Sequence, residues 1–193
     1  RIITIHGQFP ACGKSTTVKN LQLYLKNYNL ISTGSIARSI GAQYGFSDKS
    51  FDEFPAFARE KQIPYDDLID TKLRELNESG DEIIVDSRLG YHFIPDSFKV
   101  ALQVSLLTAA KRVQNDPERV SIESKPTLQS VYLKLLRRGK SDRISYIQKY
   151  ATDYTALCNY DFVISTETNP PNVVAKKILD AYLTWCIHHL SKT

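Results

Sequence analysis

The chain has 193 residues, 42% of them hydrophobic and 24% charged, with a formal net charge of +4. A single domain of that length buries roughly 70% of its unfolded-chain surface, so disulfide staples are not required. The 8 Gly and 8 Pro are too few for a collagen-like or low-complexity chain. The three cysteines, Cys12, Cys158 and Cys186, are odd in number and far apart, with no Cys-x-x-Cys pair; this argues against a disulfide framework and a zinc site and points to a reducing, cytoplasmic setting. No apolar run reaches the ~18 residues of a membrane span. The chain opens on a strand-like segment rather than a charged-then-apolar secretory start, and a leader trimmed before Arg1 stays open as an alternative. A surplus of +4 marks a nucleic-acid binder only where the basic residues gather on one face.

The first element is the β-branched run Ile2-Ile3-Thr4-Ile5-His6, a buried strand ending at Gly7. A loop with breakers follows to Thr16, and Val18, Leu21, Tyr24 and Leu25 then fall on one face of a helix. Leu30 to Thr33 reads as a second strand, with helical stretches through Ala42, from Phe54 to Arg59 and from Asp66 to Asn77. Glu82–Asp86, Lys99–Val104 and Tyr160–Ser165 read as further strands, with helices at about Leu107–Gln114, Leu128–Arg138 and Val173–Leu190. Asn169 is positioned to cap the last helix, with Pro170 and Pro171 in its first turn, where a missing N–H costs nothing. Short strands alternating with helices imply an α/β fold whose parallel sheet is covered on both faces, since parallel strands need helical crossovers. No repeat, linker-like stretch or charge block divides the chain, which reads as one domain.

Gly13-Lys14-Ser15 lies between a strand and a helix. A phosphate needs close backbone approach and several aimed N–H donors, which Gly13 and the helix start provide, and the helix dipole favours negative charge. Lys14 would reach the β- and γ-phosphates of a nucleoside triphosphate, and the Ser15 hydroxyl would ligate Mg²⁺. The match to the phosphate-loop pattern has a defect: the position five before Gly13 is Gln8, with Gly7 one residue too early. Gln8 must then take a loop conformation that glycine enters more easily, with positive φ and some strain. The alternative is an ordinary strand-to-helix turn with a solvent-facing lysine. Asp86, ending a buried strand, is placed to orient Mg²⁺ directly or through a water; the alternative is a strand-capping Asp before Ser87.

Gly7 to Ser15, Ser32-Thr33-Gly34-Ser35-Ile36-Ala37-Arg38, Asp86-Ser87-Arg88-Leu89-Gly90, Ile94-Pro95-Asp96 and Tyr160 to Thr166 occur in the order seen in cytidylate kinases, and the chain resembles that family over nearly its whole length. It is closer to the short archaeal-type branch, because Arg88 is followed by Leu89 where the bacterial type has an aspartate. The resemblance implies a P-loop nucleoside monophosphate kinase, a three-layer α/β/α fold with a five-stranded parallel sheet. It divides the chain into a core (1–34, 80–115, 158–193), an acceptor-binding helical insert (about 35–79) and an arginine-bearing lid (about 116–150). Gly7, Gln8, Ala11, Cys12, Gly13, Lys14, Ser15 and Thr16 would cradle the ATP phosphates, with Ala11 where related kinases often have glycine. Ser32, Thr33 and Gly34 would begin the acceptor site, and Arg38 and Arg88 would grip the acceptor phosphate through the planar guanidinium fork. Lys134, Arg137, Arg138, Lys140 and Arg143 would form the lid, with Arg138 and Arg143 neutralising charge on the transferred group.

The implied reaction is ATP- and Mg²⁺-dependent phosphoryl transfer to CMP or dCMP, or to UMP, by Lys14, Arg88, Arg138 and Arg143. The implied partners are small nucleotides, with no nucleic acid and no membrane, in a monomer or weak dimer. Leu89 and Gln8 keep a P-loop kinase of another small acceptor open, as well as an ATP-holding regulatory module. His188 and His189 read as terminal surface because adjacent helical residues diverge by about 100°. His6 is expected to face the core or the base of the loop, and Cys12 to be a buried thiol. Asp161 and Trp185 show no arrangement for nucleophilic catalysis.

Overall fold

A computed structural model describes residues 1–116 and 126–190. Residues 117–125 of the expected lid, and 191–193 of the expected core, lie outside the described residues. Five strands form one all-parallel sheet, β1 (Ile2–Gly7), β2 (Asn29–Ser32), β3 (Ile83–Asp86), β4 (Phe98–Gln103) and β5 (Phe162–Ser165), in the order β2-β3-β1-β4-β5. The central strand β1 is buried at every residue, as its unbroken apolar run requires of a strand covered on both faces. Ile5 pairs with Asp86 and Gly7 with Leu102, so the carboxyl ends of β3, β1 and β4 open onto the same edge.

The helices are α1 (Lys14–Tyr24), α2 (Thr33–Gln43), α3 (Phe54–Glu60), α4 (Tyr65–Glu78), α5 (Gly90–Phe93), α6 (Leu106–Gln114), α7 (Leu128–Tyr150) and α8 (Pro171–Leu190). On one face of the sheet, Val18 and Leu21 of α1 and Val174, Ile178 and Tyr182 of α8 pack against Ile3, Ile5 and Val100. On the other, Leu73 of α4, Phe93 of α5 and Tyr154 enclose Ile83 and Val85. A separate aromatic cluster around fully buried Phe54 joins α2, α3 and the start of α4. None of the described helices is long and apolar enough to cross a membrane.

Several boundaries differ from those the sequence predicts, and three of the differences have a visible cause. β2 stops at Ser32 rather than Thr33, because Ser32 and Ser35 form a reciprocal capping box that starts α2 at Thr33. α7 runs through Gly139 to Tyr150 instead of ending at Arg138, and the bare Cα of Gly139 admits Phe9 of the phosphate loop, whose ring lies 3.4 Å from where a Cβ would stand. α8 begins at Pro171, and Asn169 does not cap it: its amide donates to the Ser165 carbonyl at 2.9 Å and its oxygen accepts from Lys177 at 3.1 Å.

His6 is buried, as the sequence predicts, stacked on Tyr160 with 5.1 Å between ring centroids and set edge-on to Tyr154. Burial, reinforced by the charges of Lys14 and Arg88, lowers its pKa from 6.5 to about 3. The unfolded chain therefore takes up a proton at His6 that the folded chain refuses, and the resulting stability is complete above pH 6.5 and drains away as the pH falls toward 3. Urea unfolding at a series of pH values will show wild type losing up to about 1.4 kcal/mol more per pH unit than His6→Gln within that window, and the two will run parallel above pH 7.

Candidate active site

The loop between β1 and α1 is shaped by two glycines. A Cβ on Gly7 would stand 2.1 Å from the Cys12 sulfur and 3.0 Å from Cγ of Lys14, so only glycine lets the loop fold back over the strand end. Gly13, at φ 93°, turns the chain into α1, and no side chain caps that helix. Its first-turn N–H groups therefore point into the loop unclaimed by a cap, the arrangement that favours an anion. The strain expected at Gln8 falls instead on Ala11, at φ 57°, while Gln8 is not in the left-handed region. Gly7, displaced by one residue from the usual pattern, thus serves the close approach, and the non-glycine left-handed residue is the one where related kinases often have glycine.

Lys14 Nζ lies 3.6 Å from Asp86 Oδ1, with both side chains about a fifth exposed. Burial raises the Asp86 pKa, opposed by the charge and hydrogen bonding of Lys14. Ser15 and Asp86 line one small cavity together with Ser32 and Ser35. A hydroxyl and one carboxylate with no cluster of three or more His, Cys, Asp or Glu among the described residues suit Mg²⁺, which keeps waters and takes phosphate oxygens rather than a full protein cage. Ser15 and Asp86 are the residues that would hold it.

A cleft of about 1090 Å³ runs from this loop between α6 and the turn that leads from β5 to α8. Sequence reasoning missed the residues that tie its walls together. Arg112 of α6 donates to the Thr166 carbonyl at 2.7 Å, to Thr166 Oγ1 at 3.2 Å and to the Ala11 carbonyl at 3.3 Å. Thr166 in turn donates to the Cys12 carbonyl at 2.8 Å. Glu167 accepts from Ser105 at 2.7 Å and from Thr108, and these hydrogen bonds lower its pKa. The available signal was spacing: Thr108 and Arg112 are four residues apart on one face of α6, beside the strand-end pair Thr166-Glu167.

On the other side of Asp86, the structure brings Ser32, Thr33 and Gly34 together with Arg38, whose guanidinium lies 3.6 Å from where a Cβ on Gly34 would stand and 3.7 Å from Asp48. Arg88 is mostly buried over the ring of Tyr154 and is paired with Asp142 of α7, which also holds Arg138 at 3.7 Å. Asp142, an interruption of the basic run in the sequence, is thus the joint between two candidate arginines. Arg143 is not part of this group. Its Nε and Nη2 reach Asp153 Oδ2 at 3.0 and 2.6 Å, and the hydrogen bond brings the Asp153 pKa down to about 2. Cys12 is buried as expected, and His189 stacks on Trp185 at the exposed end of α8.

A family model described as an AAA domain matches residues 3–127. A cytidylate kinase of Methanosarcina acetivorans is 31% identical over 168 residues, which cover 86% of this chain and 87% of that one. The chain belongs to the cytidylate kinase family. An S-adenosylmethionine-dependent nucleotide dehydratase of Lacinutrix mariniflava is 33% identical over 181 residues, 93% of this chain, and the match spans 35% of that protein's length. Among solved structures, a shikimate kinase of Aquifex aeolicus superposes with a TM-score of 0.56 at 17% identity, covering 94% of this chain and 96% of that one, and so shares the fold.

Because Arg112 bridges α6, the phosphate loop and the β5 end, Arg112→Met leaves carbonyls of Ala11 and Thr166 without their charged donor. Chemical denaturation will show a loss of about 2 kcal/mol, against a few tenths for the solvent-facing Lys19→Met.

Proposed function

We propose that this chain is an ATP-dependent kinase of nucleoside monophosphates, acting on CMP or dCMP. The observation that carries the reading is the pair of anion sites on either side of Asp86: the uncapped start of α1 with Lys14 on one side, and the arginines Arg38 and Arg88 beside Ser32–Gly34 on the other. Two phosphate-directed sites sharing one acidic strand end are what transfer between two phosphorylated nucleotides requires, and a module that only holds ATP has no use for the second. The family membership and the shared kinase fold support the same reading.

ATP would occupy the cleft between α6 and the β5–α8 turn, its phosphates over Gly7 to Thr16. Mg²⁺, held by Ser15 and Asp86, would offset charge on the triphosphate oxygens. The acceptor phosphate is already anionic, so no general base is needed; the chain's residues act by positioning and charge stabilisation. Lys14 would follow the transferred group, and Arg88 and Arg38 would hold the acceptor in line. Arg138, brought to Arg88 by Asp142, would face the charge that develops between them, and Arg143 would anchor α7 through Asp153. In this reading α2 to α4, with their own aromatic cluster, form the acceptor-binding insert, and α7 is the described part of the lid. Three free cysteines support a reducing compartment.

A coupled ADP-release assay over a panel of monophosphates at millimolar concentration will show turnover of CMP or dCMP; turnover of none would sink the reading. In the same assay Lys14→Ala will lower kcat by about two orders of magnitude or more, and a near-normal rate would remove the phosphate loop from the mechanism.

A further inference from the structure

A further cavity, of about 180 Å³, opens between α4, the segment after β3 and the end of α7. Its wall begins with Thr33 and Arg88, two candidates for the acceptor side, and continues to Asp70 of α4 and to Tyr146 and Tyr150 of α7. Two polar atoms here are placed for a ligand. Thr33 Oγ1 is buried and makes no hydrogen bond among the described residues. Asp70, only 6% exposed, accepts the Tyr150 hydroxyl on Oδ2 at 2.7 Å, while its Oδ1 accepts nothing among the described residues.

A carboxylate set this deep needs a reason. Burial raises its pKa on balance, while the Tyr150 hydroxyl, Lys149 and Arg74 act against that rise and Asp66 adds to it. Lys149 pairs with it from the rim on the oxygen that Tyr150 already holds: its ammonium lies 3.8 Å from Asp70 Oδ2 and closer, 2.8 Å, to Asp67. The carboxylate therefore faces the cavity as an oriented acceptor between aromatic walls, which are sequence-tolerant platforms for a planar ring. A carboxylate selects a base that presents an amino group, as cytosine does through its exocyclic N4–H₂, and disfavours uracil, which presents a carbonyl oxygen at the same place.

We propose that Asp70 reads the base of the acceptor nucleotide, Oδ1 accepting from the cytosine amino group while Tyr150 fixes the carboxylate's orientation, an inference that rests on the monophosphate kinase reading above. Leu89, which lines the same cavity, leaves the selecting carboxylate to α4.

Initial rates with CMP, UMP and AMP, each at saturating ATP, test this on wild type, Asp70→Asn and Tyr150→Phe. Wild type will favour CMP over UMP in kcat/KM by about 10- to 100-fold. Asp70→Asn, whose amide can either accept or donate, will collapse that ratio toward one, through a higher KM for CMP and retained or improved use of UMP, with the KM for ATP unchanged. Tyr150→Phe, which keeps the carboxylate and its shape, will raise the KM for CMP several-fold at constant kcat, and this holds the test open if Asp70→Asn does not fold. An unchanged CMP-to-UMP ratio in both variants, or a wild type that prefers UMP or AMP, overturns the base-reading role and leaves the kinase reading standing. Absence of turnover with every monophosphate overturns the kinase reading, and this one with it.

Discussion

Lys14 and Asp86 face each other across 3.6 Å at the carboxyl ends of neighbouring central strands, and the geometry of the whole cleft follows from that opposition. Neither charge could be kept so shielded alone. Asp86 is pushed toward its neutral form by burial and held back by Lys14, and Lys14 sits over the end of β1 where water is partly excluded. Strand order makes the meeting obligatory: β3 lies beside β1, so a residue leaving β1 for its helix must pass the residue that ends β3.

The second organising element is α7, which reaches both sides of that pair. Its first half packs Val131 and Leu135 against Ala109, Ala110 and Cys12, so it rests on the phosphate loop. Its second half supplies Asp142 to Arg88, Tyr150 to Asp70 and Tyr146 to the packing around Tyr154. A single helix therefore bears on the phosphate loop at one end and on the cavity beside Arg88 and Asp70 at the other. Charge is arranged accordingly. Lys14, Arg88, Arg138, Arg143 and Lys149 each lie within 4 Å of an acidic partner: Asp86 for the first, Asp142 for the next two, and Asp153 and Asp67 for the last two.

Much of the fold was legible because its signals are local. The run Ile2–His6 reads as a buried strand, and Val18, Leu21 and Leu25 face the core as their spacing predicts, although Tyr24 of the same predicted face is exposed, so the strand–loop–helix order that places Lys14 follows from adjacent residues. The misread boundaries have separate causes: a local capping box at Ser32, a contact distant in sequence at Gly139, and nearby partners for the side chain at Asn169. Gly139 resembles a helix breaker, yet Phe9 packs on it and Tyr154 donates to its carbonyl at 3.3 Å. Asn169 resembles a cap, yet Ser165 and Lys177 claim its side chain. In the candidate site, motif residues could be named from spacing, but Arg112, Asp142 and Asp70 belong to no motif. Each acquires its place only when α4, α6 or α7 is laid against the sheet edge.

The displaced glycine shows how such a motif tolerates change. A phosphate loop needs one position without a side chain where it doubles back, and here the requirement is met by Gly7, the last residue of β1, under the sulfur of Cys12. A second position of the loop, Ala11, is left-handed without being glycine, which costs about 1 kcal/mol. Three attachments over-determine the segment and hold it there: Arg112 on the Ala11 carbonyl, Thr166 on the Cys12 carbonyl, and the burial of Cys12 itself among Val104, Ala109 and Leu135. The spacing of the pattern is thus a consequence of a steric requirement, and a chain that satisfies the requirement one residue early keeps the cradle while breaking the pattern.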